Sequence, residues 1–135
     1  MSEGKLANSL GISSALVKDI LSILEKTHLI FPVRPYAGSA GKSVRKPWKY
    51  YFLSPTIKVS INFELGKYNP RNREFLGELT ENLVASYFFK ARETTYQPHG
   101  IFYPPEKGGA DFLLSKVTER LYQWKLAPGR KVKVR

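Results

Sequence analysis

The sequence has no cysteine among its 135 residues, which excludes disulfides and thiolate metal sites. It also has no apolar run that approaches the roughly 18 residues that a membrane-spanning helix needs. The first residues, MSEGKLANS, are not basic and no apolar segment follows them, so no signal peptide is predicted. From these absences we expect a cytoplasmic protein without a membrane partner.

Acidic residues are scarce as well. Eleven Asp and Glu stand against 22 Lys and Arg, which leaves a formal net charge of +11. Hydrophobic residues make up 42% of the chain, enough for a packed core, so the composition is not that of a disordered protein. The charge favours a polyanionic partner, above all nucleic acid. The alternative is a basic surface that only keeps the protein soluble.

The N-terminal segment has the pattern of two helices joined by a short turn. The first is predicted over 3–11 and ends at Gly11, which tolerates a positive φ angle. Ser13 or Ser14 can cap the second helix. The apolar residues of that helix recur at helical spacing: Leu16, Val17, Ile20, Leu21 and Leu24. A helix, a glycine-containing turn and a longer amphipathic helix form the helix-turn-helix pattern.

A β-hairpin is predicted directly after these helices. Pro32 and Pro35 prevent further helix, and Trp48 opens a second run typical of a strand. The two helices and the hairpin together predict a winged helix with its wing tip at 37–47. We expect phosphate contacts from Lys18, Lys42, Arg45, Lys46 and Lys49. A solvated basic hairpin without a ligand is one alternative. A protein-contact module is another, because the second helix offers no Arg, Asn or Gln to read bases.

The wing also contains Gly41-Lys42-Ser43, the ending of a phosphate-binding loop. That motif requires glycine five residues before Gly41, where Tyr36 stands instead. Prolines on both sides exclude the buried strand and the helix that would flank such a loop. We therefore predict no nucleotide site.

The second half predicts one long helix followed by strands. Residues 55–73 show no regular pattern, and 61–73 is interpreted as a linker. The stretch 74–92 predicts a helix whose apolar stripe is Phe75, Leu79, Leu83, Val84, Tyr87 and Phe88. Short strands are predicted after it, so the fold class is α+β.

Four polar residues of this half have the spacing of a metal-dependent nuclease site. Glu81 lies on the long helix, Asp111 opens an apolar strand, and Gln123 and Lys125 share one face of the next strand. Glu81 and Asp111 could bind Mg²⁺, and a metal-activated water would attack a phosphodiester. The alternatives are a solvated helix residue for Glu81, a turn residue for Asp111, and an exposed strand face for Gln123 and Lys125.

The ordered set of these segments resembles the C-terminal region of archaeal and bacterial AAA-type ATPases. In that family a winged helix follows the ATPase domain, and a restriction-endonuclease-like domain of the PD-(D/E)xK type ends the chain. The similarity is carried by LANSLGISSALVKDILSILEKTHLIFPVRPY at 6–36, KPWKYYFLSP at 46–55, GELTENLVASYFFK at 77–90 and GGADFLL at 108–114.

The resemblance implies a winged helix over 1–60, a linker over 61–73, and a small restriction-endonuclease-like α/β unit over 74–135 with a basic tail. It implies that Glu81 matches the helix glutamate and Asp111 the nuclease aspartate. Gln123 stands where the family has an acid, and the ATPase domain is absent from these residues. We therefore expect a DNA-binding or interaction protein without catalysis and without a cofactor. The alternatives are a Mg²⁺-dependent nuclease and a homodimeric protein-contact module.

Overall fold

The computed structural model describes residues 3–36, 47–94, 99–104, 111–116 and 121–124. The described part contains four helices and five strands, so the α+β prediction is confirmed. In chain order the elements are α1 (Glu3–Leu10), α2 (Ser14–Lys26), β1 (Ile30–Pro35), β2 (Lys49–Phe52), α3 (Pro55–Glu64), α4 (Arg73–Thr94), β3 (His99–Tyr103), β4 (Phe112–Lys116) and β5 (Leu121–Trp124).

The boundary between α1 and α2 lies where the caps predicted it. Gly11 has a φ angle of +65°, and the amide of Ile12 donates to the carbonyl of Ala7 at 3.1 Å, which closes α1. The hydroxyl of Ser13 then accepts a hydrogen bond from the Leu16 amide and caps α2. The chain turns through 111° between the two helices.

The region between β2 and α4 corrects one prediction. Residues 55–64 form α3, so the stretch 55–73 is not irregular throughout, and the predicted linker is helical over its first four residues. Ser54 caps this helix and Pro55 occupies its first turn, a combination that favours a helix start. The β-branched residues that follow, such as Ile57 and Val59, have low helix propensity, so the sequence pattern does not predict this helix.

All five strands form one sheet in the order β2-β1-β3-β4-β5. The β1–β2 pairing is antiparallel, as expected for a hairpin, and the β3–β4 and β4–β5 pairings are antiparallel as well. The joint between them is the parallel pairing of Arg34 with Phe102 and of Pro35 with Tyr103. The predicted N-terminal and C-terminal units therefore share one sheet.

Helix α4 covers one face of this sheet. The core beneath it consists of residues from β1 to β4 together with Ala85: Phe31, Val33, Tyr51, Ile101, Tyr103, Phe112 and Leu114. The rings of Phe31 and Phe89 stack with centroids 4.4 Å apart. The predicted apolar stripe of α4 is wrong in two positions, because Leu83 is 55% exposed and Tyr87 is 69% exposed. Asn82, Ala85 and Ser86 are buried instead.

No single helix within the described ranges is long and apolar enough to cross a membrane, and α1 with α2 reaches that length and composition only as a pair bent at Gly11.

Candidate functional site

Glu81 joins α4 to β2. One of its carboxylate oxygens accepts a hydrogen bond from the hydroxyl of Tyr51 at 2.5 Å and another from the Nζ of Lys49 at 3.1 Å. The two donors are two residues apart on β2, so the strand periodicity directs both toward the same face. Lys49, predicted to contact phosphate, is therefore placed beside Glu81, a residue predicted for a different site.

The phenol of Tyr51 is hydrogen-bonded to Glu81 and is affected by the charge of Asp111. Burial raises the pKa of the Tyr51 phenol well above its usual value, and the hydrogen bond to Glu81 adds to this. The negative charges of Glu81 and of Asp111 raise it further, so Asp111 lies close enough to act on the same phenol. Asp111 stands at the bend immediately before β4. The structure thus brings the two carboxylates of the predicted metal pair toward one tyrosine.

The other two residues of the predicted nuclease site are not brought to this cluster by anything described. Gln123 pairs with Leu113 in the β4–β5 ladder, and Lys125 lies outside the described residues. Across the described ranges no group of three or more His, Asp or Glu side chains is arranged to hold a metal ion.

The donor set around Glu81 also fits a divalent cation poorly. The ammonium of Lys49 is 3.1 Å from the carboxylate, and a positive charge at that distance opposes a second cation. A cavity of about 330 Å³ opens beside this pair, lined by residues that include Lys58, Glu78 and Asn82. Lys58 forms an ion pair with Glu78, so the cavity lining contains a second cation–carboxylate pair. The cavity is thus lined by carboxylates that already have cationic partners.

Only part of the predicted phosphate-binding surface is described. Lys18 lies on α2 with its side chain 65% exposed and makes a 3.8 Å ion pair with Glu3. Such a solvent-exposed pair is weak and leaves Lys18 available to a ligand. Lys42, Arg45 and Lys46 lie outside the described residues.

A second apolar face on α2 is not predicted from the sequence. Leu16, Ile20 and Ile23 recur at i, i+4 and i+7 and are 46%, 40% and 59% exposed. The inward face of the same helix holds Val17, its one fully buried residue. The sequence pattern merges these two faces into a single stripe. Exposed apolar residues in a row are typical of a surface that contacts another protein.

Comparison with known proteins gives a partial match. Residues 1–64 match the family model described as "Domain of unknown function (DUF8612)", and this match ends at the last residue of α3. The chain is 36% identical over 109 residues to "Uncharacterized protein MJ1637" of Methanocaldococcus jannaschii. That alignment covers 81% of this chain and 22% of the relative, so the chain spans about a fifth of the curated relative's length. No solved structure matches the chain.

Proposed function

We propose that this protein binds DNA through a winged helix formed by α1, α2 and the β1–β2 hairpin, without catalysis. The observation that carries the proposal is the geometry of the first two helices. They meet at 111° across a three-residue turn that contains Gly11, and an antiparallel hairpin follows. Helix-turn-helix units typically cross at about 90–120° over such a turn. The basic segment that joins the two strands carries Lys42, Arg45 and Lys46.

The charge of the described surface supports a polyanionic ligand. Lys26 on α2 and Lys90 on α4 are exposed and form no ion pair within the part of the chain that the structure describes. Unpaired surface cations can replace the counterions of a phosphate backbone, and this exchange gives nucleic-acid binding its salt dependence. The proposed relation to the C-terminal region of an archaeal-type ATPase is compatible with a match to about a fifth of a longer archaeal protein.

The test is binding to a fluorescein-labelled 20-base-pair duplex, measured by anisotropy between 50 and 200 mM salt. The wild-type affinity should fall by at least tenfold over this range, because about three or more phosphate contacts are expected. The triple variant Lys42→Ala, Arg45→Ala, Lys46→Ala should bind much more weakly and with a smaller salt slope.

A matched control removes the same charge elsewhere. The triple variant Lys67→Ala, Arg71→Ala, Arg73→Ala removes three exposed cations from the turn after α3 and from the first residue of α4. We expect this variant to keep most of the affinity. Equal losses in the two triple variants would show that net charge, and not the hairpin, determines binding, and an affinity independent of salt would contradict the proposal itself.

One observation favours a nuclease as a second candidate. Glu81 accepts a hydrogen bond from the Tyr51 hydroxyl, and Asp111 lies near enough to raise the pKa of the same phenol. Cleavage of linear, branched and single-stranded DNA with Mg²⁺ or Mn²⁺ tests it, with Asp111→Asn as the variant that should abolish activity. Absence of cleavage on all three substrates would remove this candidate.

The exposed face of α2 favours a protein-contact module as a third candidate. Leu16, Ile20 and Ile23 would be covered in a homodimer. Sedimentation velocity at rising protein concentration should then show a dimer that Ile23→Lys disrupts. A monomer at all concentrations would exclude self-association through this face.

A further inference from the structure

The sheet face opposite α4 carries a row of flat side chains around Arg34. The Arg34 guanidinium carbon lies 4.4 Å from the ring centroid of Trp48, and Arg34 pairs with Phe102 on β3. The ring of Tyr36 meets that of Phe102 edge-on with centroids 5.7 Å apart. The backbone pairing of Arg34 with Phe102 therefore places two contacts, Arg34–Trp48 and Tyr36–Phe102, on neighbouring chain segments.

Strand alternation places this row away from the protein core. Val33 and Tyr103, one residue from Arg34 and from Phe102, are 1% and 8% exposed beneath α4. Arg34 and Phe102 belong to the other face, where Arg34 is exposed and Trp48 is 38% exposed. The described structure gives Arg34 no ion pair with a carboxylate, so its charge is available to a ligand.

Resting on the proposed nucleic-acid binding, we infer that Arg34, Trp48, Phe102 and Tyr36 form a stacking platform for unpaired bases of a single-stranded nucleic acid. Adjacent strands are about 4.8 Å apart, so a row across three strands spans about 10 Å, which accommodates one or two bases. Aromatic faces stack on any base, and an arginine plane adds a cation–π contribution and a phosphate partner.

Charge complementarity favours a single-stranded nucleic acid over an apolar protein surface as the ligand. The platform combines a cation with aromatic rings. Two of its residues, Tyr36 and Trp48, flank the segment that contains Lys42, Arg45 and Lys46. Single-strand binders combine these two features, a basic path for the backbone and aromatic rings for the bases. A duplex keeps its bases stacked inside, so its bases cannot stack on the Trp48 ring, which is 38% exposed.

The experiment compares a 15-nucleotide oligo-dT, a 15-nucleotide oligo-rU and a 15-base-pair duplex, each fluorescein-labelled, by anisotropy at one salt concentration. Trp48→Ala and Arg34→Ala should each weaken single-strand binding about tenfold or more. Duplex affinity should change less than twofold in both variants. Trp48→Phe, which keeps a ring, should retain more single-strand affinity than Trp48→Ala, and this distinguishes stacking from a general loss of structure.

The matched control is Tyr87→Ala, which removes an aromatic ring that is 69% exposed on α4. It should leave binding to all three probes unchanged. Equal losses in Trp48→Ala and Tyr87→Ala would overturn the platform, as would a Trp48→Ala variant that loses single-strand and duplex affinity alike.

The three probes also separate this inference from the function on which it rests. Salt-dependent duplex binding without single-strand binding would overturn the platform and leave the winged-helix proposal standing. Binding to neither would overturn both. Single-strand binding that depends on Trp48, without duplex binding, would support the platform and contradict the duplex proposal. Tighter binding of oligo-rU than of oligo-dT would support the platform with RNA as its ligand, and the reverse order would support it with DNA.

Discussion

The side-chain amide of Asn82 makes two hydrogen bonds to the backbone of Phe52. Its Oδ1 accepts from the Phe52 amide at 2.9 Å, and its Nδ2 donates to the Phe52 carbonyl at 2.8 Å. Among the described strands β2 is the edge of the sheet, so these groups have no further described strand to pair with. A side chain of helix α4 thus provides hydrogen-bond partners for backbone groups of this strand. Because Glu81 precedes Asn82, the same contact orients α4 so that Glu81 meets Lys49 and Tyr51.

Replacing Asn82 should therefore cost more than replacing an ordinary helix residue. Asn82 is 4% exposed, and Asn82→Ala leaves both backbone groups of Phe52 without their partner. We expect the free energy of unfolding to fall by about 2–4 kcal/mol in urea denaturation. The neighbouring variant Leu83→Ala, at a position 55% exposed, should cost under about 1 kcal/mol. Similar costs at the two positions would show that the paired hydrogen bonds contribute little.

The ion pair between Lys49 and Glu81 should contribute modestly. Its side chains are 41% and 32% exposed, so solvent screens much of their attraction. A double-mutant cycle with Lys49→Met and Glu81→Gln should give a coupling of about 0.5–1 kcal/mol. Because Lys49 already has this partner, Lys49→Met should also reduce duplex affinity less than Lys18→Ala. A larger loss at Lys49 would show that DNA displaces Glu81.

Tyr51 should make the protein sensitive to alkali. Its folded-state pKa is raised, so the neutral phenol stabilises the fold fully below pH about 10, the unfolded value, and this stabilisation is lost as pH rises above it. Each pH unit above 10 should cost up to about 1.4 kcal/mol. Burial also raises the pKa values of Tyr50 and Tyr103, which adds to the slope.

Unfolding measured in urea between pH 8 and pH 11.5 tests this dependence. Tyr51→Phe should be less stable than the wild type at pH 8 because Glu81 loses a hydrogen bond, and the two curves should converge above pH 10. Tyr87→Phe, at a largely exposed position, should follow the wild-type curve throughout. Parallel curves for wild type and Tyr51→Phe would show that Tyr51 does not determine the alkaline slope.

The elements with strong local signals could be predicted from the sequence. The ends of α1 and α2 follow from Gly11 and the serine cap, because a positive φ angle and a capping hydroxyl act within a few residues. Helix α3 escapes prediction because the low helix propensity of its β-branched residues outweighs the Ser54-Pro55 start. The parallel pairing of β1 with β3 has no local signal, since it joins residues about 70 positions apart.

The contacts within the candidate site also lack a local sequence signal. Glu81 and Asp111 could be selected as carboxylates, but no spacing rule connects Glu81 with Lys49 on a strand 32 residues earlier. Asn82 has the sequence signature of a solvated helix residue, because only the position of the β2 edge gives its amide a buried partner. The Arg34–Trp48 contact likewise depends on the register of the hairpin, which the sequence of the connecting segment does not determine.

Two glycine substitutions should change stability in opposite directions. Gly11 has a φ angle of +65° with open space where an added methyl group would stand, so Gly11→Ala should cost about 1–2 kcal/mol through backbone conformation alone. Gly77 lies inside α4, also with open space, and Gly77→Ala should raise the free energy of unfolding by about 1 kcal/mol.

Both substitutions restrict the unfolded chain equally, so that contribution cancels in the difference between them. Urea denaturation of the two variants should therefore separate them by about 2 kcal/mol or more. A Gly11→Ala variant as stable as Gly77→Ala would show that the turn between α1 and α2 does not require a left-handed residue, and the 111° crossing proposed for DNA recognition would lose its local cause.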